Sequence, residues 1–186
     1  SDKDLAKMMS DTMASMGAYV VLAFVAGQFV AYFNWTNLGA ITAVKGASVL
    51  QSVGLEGGLL MIAFLFVAST MNFLVGSASA KWAFMAPIFV PMLMQMGLSP
   101  EATQAAYRVG DSITNIISPL MPYLPIIIVF AQKYDRKAGI GTILAAMLPY
   151  SIAYLIGWTI MLLVWVFAEI PLGPGASALY EVLPAG

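Results

Sequence analysis

Arg108, Asp111, Asn115 and Ser118 stand three, four and three residues apart, a spacing that puts them on one face of a continuous helix. They interrupt strongly apolar sequence: 61% of the 186 residues are hydrophobic and 9% are charged, where soluble domains average roughly 25% charged. An ionisable side chain in a segment that crosses lipid costs about 2.5–3.5 kcal/mol on insertion scales, so such residues face a cavity or a solute path. The competing reading is structural, an Arg108–Asp111 ion pair that holds helices together. The chain has no Cys and no His, which excludes disulfides, thiolate nucleophiles and imidazole chemistry. Carboxylates, amides, hydroxyls, Lys and Arg remain. Eight Lys+Arg against nine Asp+Glu provide no basic field, so nucleic acid is not the partner.

A second polar segment, GSASAK at 76–81, cannot continue a good helix. Loosened backbone at membrane depth is tolerated only where it is buried in protein or lines a wet cavity. Set against SITNIISP at 112–119, it would offer carbonyl oxygens and helix-end dipoles able to hold a small cation beside an anionic solute. The candidate sodium ligands are the carbonyls around Gly76, Ser77 and Ser79 and the side chains of Asn72, Asp111, Thr114 and Asn115. For any single hydroxyl the simpler reading is a bond to its own helix; the cluster is what points to a cation. Trp82, beside Lys81, either stacks on an aromatic solute or anchors at the membrane interface. Ser79 and Lys81 also raise an intramembrane hydrolase dyad, a weak reading because residues two apart do not face each other on a helix. The 13 Met residues suit core filling.

The elements that must position these groups follow from where charge is missing. Residues 12–44, 57–80, 82–100, 112–132 and 138–168 carry none, giving runs of 33, 24, 19, 21 and 31, and about 20 apolar residues span a bilayer as helix. The predicted fold class is an all-α integral membrane protein. It has a cytoplasmic lead at 1–15, a transmembrane helix at 16–34, an interfacial connector at 35–56 and a re-entrant helical hairpin at 57–97 with its tip at 76–81. A broken transmembrane helix at 99–132, a cytoplasmic loop at 133–137, a transmembrane helix at 138–168 and an extended external tail at 169–186 complete it. The opening SDKDLAKMMSD has no apolar h-region and is not a signal peptide, and the chain reads as a fragment or a processed product. Ala23, Gly27 and Ala31 form a small-residue stripe expected to pack within the molecule rather than at a dimer seam. Two full spans joined by a loop bearing Lys81 are the alternative at 57–97. Ser99-Pro100 predicts a helix start, Pro119, Pro122 and Pro125 predict the break, and KYDRK at 133–137 predicts a cytoplasmic loop.

NFLVGSASAKWAFMAPIFVPM at 72–92, AAYRVGDSITNIISPLMPYLP at 105–125, and KYDRKAGIGT followed by LPYSIAYLIGW together resemble the AbgT family, the p-aminobenzoyl-glutamate transporters. The resemblance covers nearly the whole chain. Family members are considerably longer, which implies that this chain corresponds to their C-terminal part, one half of an inverted-repeat transporter. The resemblance implies a homodimeric, multi-pass protein of the inner (cytoplasmic) membrane with paired re-entrant hairpins and broken helices. Its solute would be an aromatic amino-acid conjugate, p-aminobenzoyl-glutamate, or an exported sulfonamide, with sodium or a proton as coupling ion and no other cofactor. Carried onto matching positions, Ser79, Trp82, Arg108, Asp111 and Pro119 would line the substrate path and Asn115 would fall beside the ion site. An aspartate expected from the other repeat has no place in this chain. Asp111 is the expected coupling switch, and Arg108 the expected holder of a carboxylate or sulfonyl group. A cation-coupled transporter of another organic anion such as a dicarboxylate, the Ser–Lys hydrolase and a purely structural membrane subunit are the other readings.

Overall fold

The computed structural model describes residues 2–15, 17–121 and 123–180. Met16, Pro122 and the stretch 181–186, on which expectations were placed above, lie outside the described residues. The described chain is helical: α1 (Asp2–Ser15), α2 (Gly17–Trp35), α3 (Leu38–Ser52), α4 (Gly57–Met71), α5 (Ala78–Met94), α6 (Pro100–Asn115), α7 (Leu124–Ala131) and α8 (Ile140–Phe167). Among the described residues the β pairing consists of two isolated bridges, Leu98 with Leu179 and Gly173 with Ala176.

Local sequence explains where these helices stop. Asn37, with φ 55°, turns α2 into α3 in the left-handed region that Asn tolerates. Between α3 and α4 the chain bends by 118°, using Gly54 and Gly57 at φ 75° and 52°, where side chains other than Gly are strained. Ser77 caps α5 by accepting from the Ala80 N–H, and Ser99 caps α6 by accepting from the Ala102 N–H at 3.0 Å, with Pro100 at the first turn.

α4 packs chiefly on α6, and α6 on α8, while α5 lies against α3, α2 and α6. The main core therefore gathers Leu60, Phe64 and Leu65 of α4, Met85 and Leu93 of α5, Ala102 and Ala106 of α6, and Leu162 of α8. Across it the rings of Phe64 and Phe89 meet at 5.1 Å. By length and composition, α8 alone among the described residues is long and apolar enough to cross a bilayer unaided; α3 and α4 pass only as the bent pair. Its most apolar window has mean hydropathy 1.9 yet is only 17% buried. Ile152, Ile156, Ile160 and Phe167 stand exposed along it, unlike the core helix of a soluble protein, which is mostly buried.

Several boundaries differ from those read in the sequence. Within the lead expected at 1–15, Asp2–Ser15 form a helix, α1. The first break covers residues 72–77, so that Ser79 and Lys81 belong to the first turn of α5 and not to a loop tip. The second lies between the end of α6 at Asn115 and the start of α7 at Leu124. The tail, expected to be extended and external, folds back: Ser99 N–H donates to the Ala178 carbonyl at 3.2 Å and Tyr180 N–H to the Gly97 carbonyl at 2.9 Å, and Ala178 is buried. A Pro/Gly/Ala-rich composition identifies a loop but carries no signal for where it docks. The stripe at Ala23, Gly27 and Ala31 is exposed, and a Cβ at Gly27 would meet nothing within 4 Å, so the expected packing within the molecule is not made in this chain.

Candidate functional site

α6 carries a polar stripe through Thr103, Tyr107 and Asp111, all buried, and the half-buried Thr114. At about 100° per residue, Thr103, Tyr107, Asp111 and Thr114 fall within about 80° of one another round the helix, and Arg108 lies about 60° beyond Asp111, off their stripe. Asp111 is buried, whereas Arg108 is exposed, and the partner of Asp111 is Lys81, whose Nζ donates to Oδ1 at 2.6 Å. The Arg108–Asp111 pair considered above is not formed. Lys81 is completely buried.

Around this pair the hydrogen bonds close. Lys81 Nζ donates also to Asn72 Oδ1, and Asn72 Nδ2 donates to the Asp111 carbonyl and to Thr114 Oγ1, each at 2.7 Å. The Thr114 hydroxyl proton is shared between the carbonyls of Ser69 at 2.9 Å and Gly110 at 3.2 Å. Ser69 Oγ donates to the same Gly110 carbonyl at 3.1 Å, and Ser118 Oγ to the Asn72 carbonyl at 2.9 Å. Glycine at 110 permits this closeness, since a Cβ there would lie 2.7 Å from the Leu65 carbonyl oxygen. Buried charge is tolerable only when paired and hydrogen-bonded, and this network supplies both.

Tyr107 links the network to open space. Its ring lies 5.2 Å from Lys81 Nζ and 4.8 Å from the ring of Trp82, while its hydroxyl donates to the Ala78 carbonyl at 2.6 Å. Beyond it is a cavity of about 140 Å³ lined by Ala78, Ser79, Trp82, Gln104, Tyr107 and Arg108. The cavity offers an indole and a phenol face, a hydroxyl, an amide and a guanidinium, which suits an anionic solute with an aromatic part. A separate, largely apolar cavity of about 260 Å³ opens between α4, α6 and α8, with Ser69, Thr114 and Ser151 among its walls.

Of the substrate-path residues read from the sequence, Ser79, Trp82 and Arg108 line one cavity, and Asp111 lies behind it in the polar network. Pro119 is exposed in the second break and does not line that cavity. Of the sodium candidates, Asn72, Asp111 and Thr114 share the network. Gly76 packs instead against the backbone of Leu120, Ser77 caps α5, and Asn115 ends α6 half-buried. Trp82 meets Tyr107 at the cavity wall, within the fold, with the two rings tilted by 40°. Lys81 is committed to Asp111 and Asn72, so it is not available to activate Ser79. Tyr107 and Gln104 were missed, and Lys81 was read as half of a Ser–Lys dyad and not as the partner of Asp111. Lys81 had a legible signal, a lone cation between uncharged runs of 24 and 19 residues, more isolated than Asp111, which has Arg108 three residues before it.

Comparison with known proteins completes the assignment. The model of the AbgT putative transporter family matches residues 1–180. The p-aminobenzoyl-glutamate transport protein of Escherichia coli (strain K12) is 37% identical over 172 residues, 92% of this chain and 34% of that protein. Among solved structures, the Alcanivorax borkumensis YdaH transporter, described as having an unusual topology, superposes with a TM-score of 0.86 at 50% identity, covering 94% of this chain and 37% of its own. Neisseria gonorrhoeae MtrF, described with a class of antimetabolite efflux pumps, gives 0.80 at 51% identity, covering 92% and 34%. Fold and family define a helical membrane protein, here with a buried charged pair behind a small cavity. The chain belongs to the AbgT family and spans about a third of the length of the relatives it matches.

Proposed function

We propose that the chain forms one half of the solute and ion path of a secondary active transporter of the inner membrane, which moves p-aminobenzoyl-glutamate, exports sulfonamide antimetabolites, or does both. One observation carries the reading: the buried Lys81–Asp111 pair is joined through Tyr107 to the cavity lined by Ser79, Trp82 and Arg108. The names of the relatives, a p-aminobenzoyl-glutamate transport protein and an efflux pump for antimetabolites, support the solute class. Trp82 and Tyr107 would hold the aromatic part and Arg108 a carboxylate or sulfonyl oxygen. α4 and α5 would be the arms of a re-entrant hairpin and α6–α7 a broken helix, with 133–137 cytoplasmic and two copies forming a dimer.

The donors suit a cation. Asn72 Oδ1, Asp111 and Thr114 Oγ1 are hard oxygens gathered at one point, the ligand type that alkali cations take, and a bound cation would supply positive charge beside the solute. The chain's own residues orient them: Ser69 and Gly110 hold Thr114, and Thr114 holds Asn72. The test is flux into proteoliposomes of the complete transporter with labelled p-aminobenzoyl-glutamate and a sulfonamide, under imposed sodium and proton gradients in turn. Flux driven by one gradient is expected. No gradient-driven flux of either solute sinks this reading and turns the search to other organic anions.

A further inference from the structure

The two side-chain oxygens best placed for a cation are already engaged by one. Lys81 Nζ donates to Asp111 Oδ1 and to Asn72 Oδ1. The Asn72 amide is not free to turn away, because both hydrogens of Nδ2 have acceptors, the Asp111 carbonyl and Thr114 Oγ1, which directs Oδ1 at Lys81. Tyr107 presents its ring to the same ammonium at 5.2 Å. The ammonium therefore has the surroundings that a small monovalent cation would take.

We propose that Lys81 is a built-in competitor for the cation site: its ammonium and a free alkali cation claim the same oxygens of Asp111 and Asn72, so occupancy by one excludes the other. This rests on the cation-coupled reading above. The formal charges of Lys81 and Asp111 cancel. Adding a cation beside the intact pair would leave one uncompensated charge in a buried site, which is costly, whereas exchanging ammonium for cation keeps the site neutral. Lys81 lies in the first turn of α5, between the cavity residues Ser79 and Trp82, while Asn72 follows α4 and Asp111 is on α6. Exchange would thus couple cation occupancy to the position of the α5 start, and through it to the cavity wall.

The experiment is thermal unfolding of the complete transporter in detergent, titrated with sodium chloride against choline chloride at constant ionic strength. Wild type, Lys81→Met, Asp111→Asn and the double variant are compared. Lys81→Met is expected to unfold earlier in choline and to be restored by sodium, at concentrations roughly 5- to 150-fold below any that act on wild type, the span of ordinary coupling between sites. Asp111→Asn should ignore sodium. The double variant, with no charge left in the cage, should also ignore sodium and unfold above Asp111→Asn. An equal sodium midpoint in wild type and Lys81→Met, or no sodium response in either, overturns the proposal. If Lys81→Met does not fold, the double variant decides: a stability no greater than that of Asp111→Asn overturns it, and a greater one sustains it. Gradient-driven flux in wild type with an unshifted midpoint would sink the competition alone. Absent flux would sink the transport reading whatever the melting curves show.

Discussion

Ser118 Oγ donates to the carbonyl of Asn72 at 2.9 Å, and this bond joins the break after α6 to the break after α4. Ser118 is buried, so Ser118→Ala leaves that carbonyl without its donor in a place water does not reach. The expected loss is about 1–3 kcal/mol, read as earlier thermal unfolding of the detergent-solubilised transporter. An unchanged unfolding temperature would mean that the seam carries no weight.

Glycine at 110 sets how closely α4 and α6 approach. In Gly110→Ala the new methyl would sit 2.7 Å from the Leu65 carbonyl oxygen and 3.1 Å from Ser69 Oγ, and backbone cannot rotate away as a side chain can. Overpacking of this kind costs about 1–3 kcal/mol. Since Thr114 bonds across the same contact, solute and cation binding should weaken together, which isothermal titration of the purified protein would detect.

Tyr107→Phe keeps the ring beside Trp82 and Lys81 but removes the hydroxyl that holds the Ala78 carbonyl at 2.6 Å. The start of α5 should loosen, with a stability loss of about 1 kcal/mol. Solute affinity should fall several-fold while the ion dependence of flux stays as it was. Trp82→Ala, which removes a cavity wall, should cost more; affinity equal to wild type in both variants would exclude this cavity as the solute site.

Arg108 and Asp111 should separate in their effects. Arg108→Lys loses the planar fork at an exposed rim, so solute KM should rise on the order of tenfold with the gradient dependence intact. Asp111→Asn strands a buried Lys81, a change that costs about 3–5 kcal/mol in other buried pairs, and should end gradient-driven flux. Radiolabelled uptake into proteoliposomes distinguishes them, and coupled flux in Asp111→Asn would refute its role.

Much of the helix order was legible because charge is so scarce here that each gap between charges is itself a measurement. Ser99-Pro100 announced the start of α6 through capping chemistry that is local and therefore readable. The partner of Asp111 was not readable in the same way. Spacing on one helix favoured Arg108, but the pair forms between two helices, α5 and α6, a contact that spacing along either one does not encode. Asn72, Asp111 and Thr114 emerged as one cluster because oxygen-bearing side chains in apolar sequence have few other uses. Gly76, Ser77 and Asn115 parted from it because backbone close approach, capping and a helix end claimed them, and sequence does not rank those demands against ligation.

The tail that returns to residues 97–99 has a mechanical meaning. Gly97 accepts from Tyr180, Ser99 donates to Ala178, and Ser99 also caps α6, so the corner between α5 and α6 is splinted by the chain's own last described segment. A change in the angle between those helices at that corner would have to break both backbone bonds. Flexure is then directed to the opposite end of α5, where residues 72–77 lead into Ser79, Lys81 and Trp82: the lever pivots beside the cavity that Ser79 and Trp82 line.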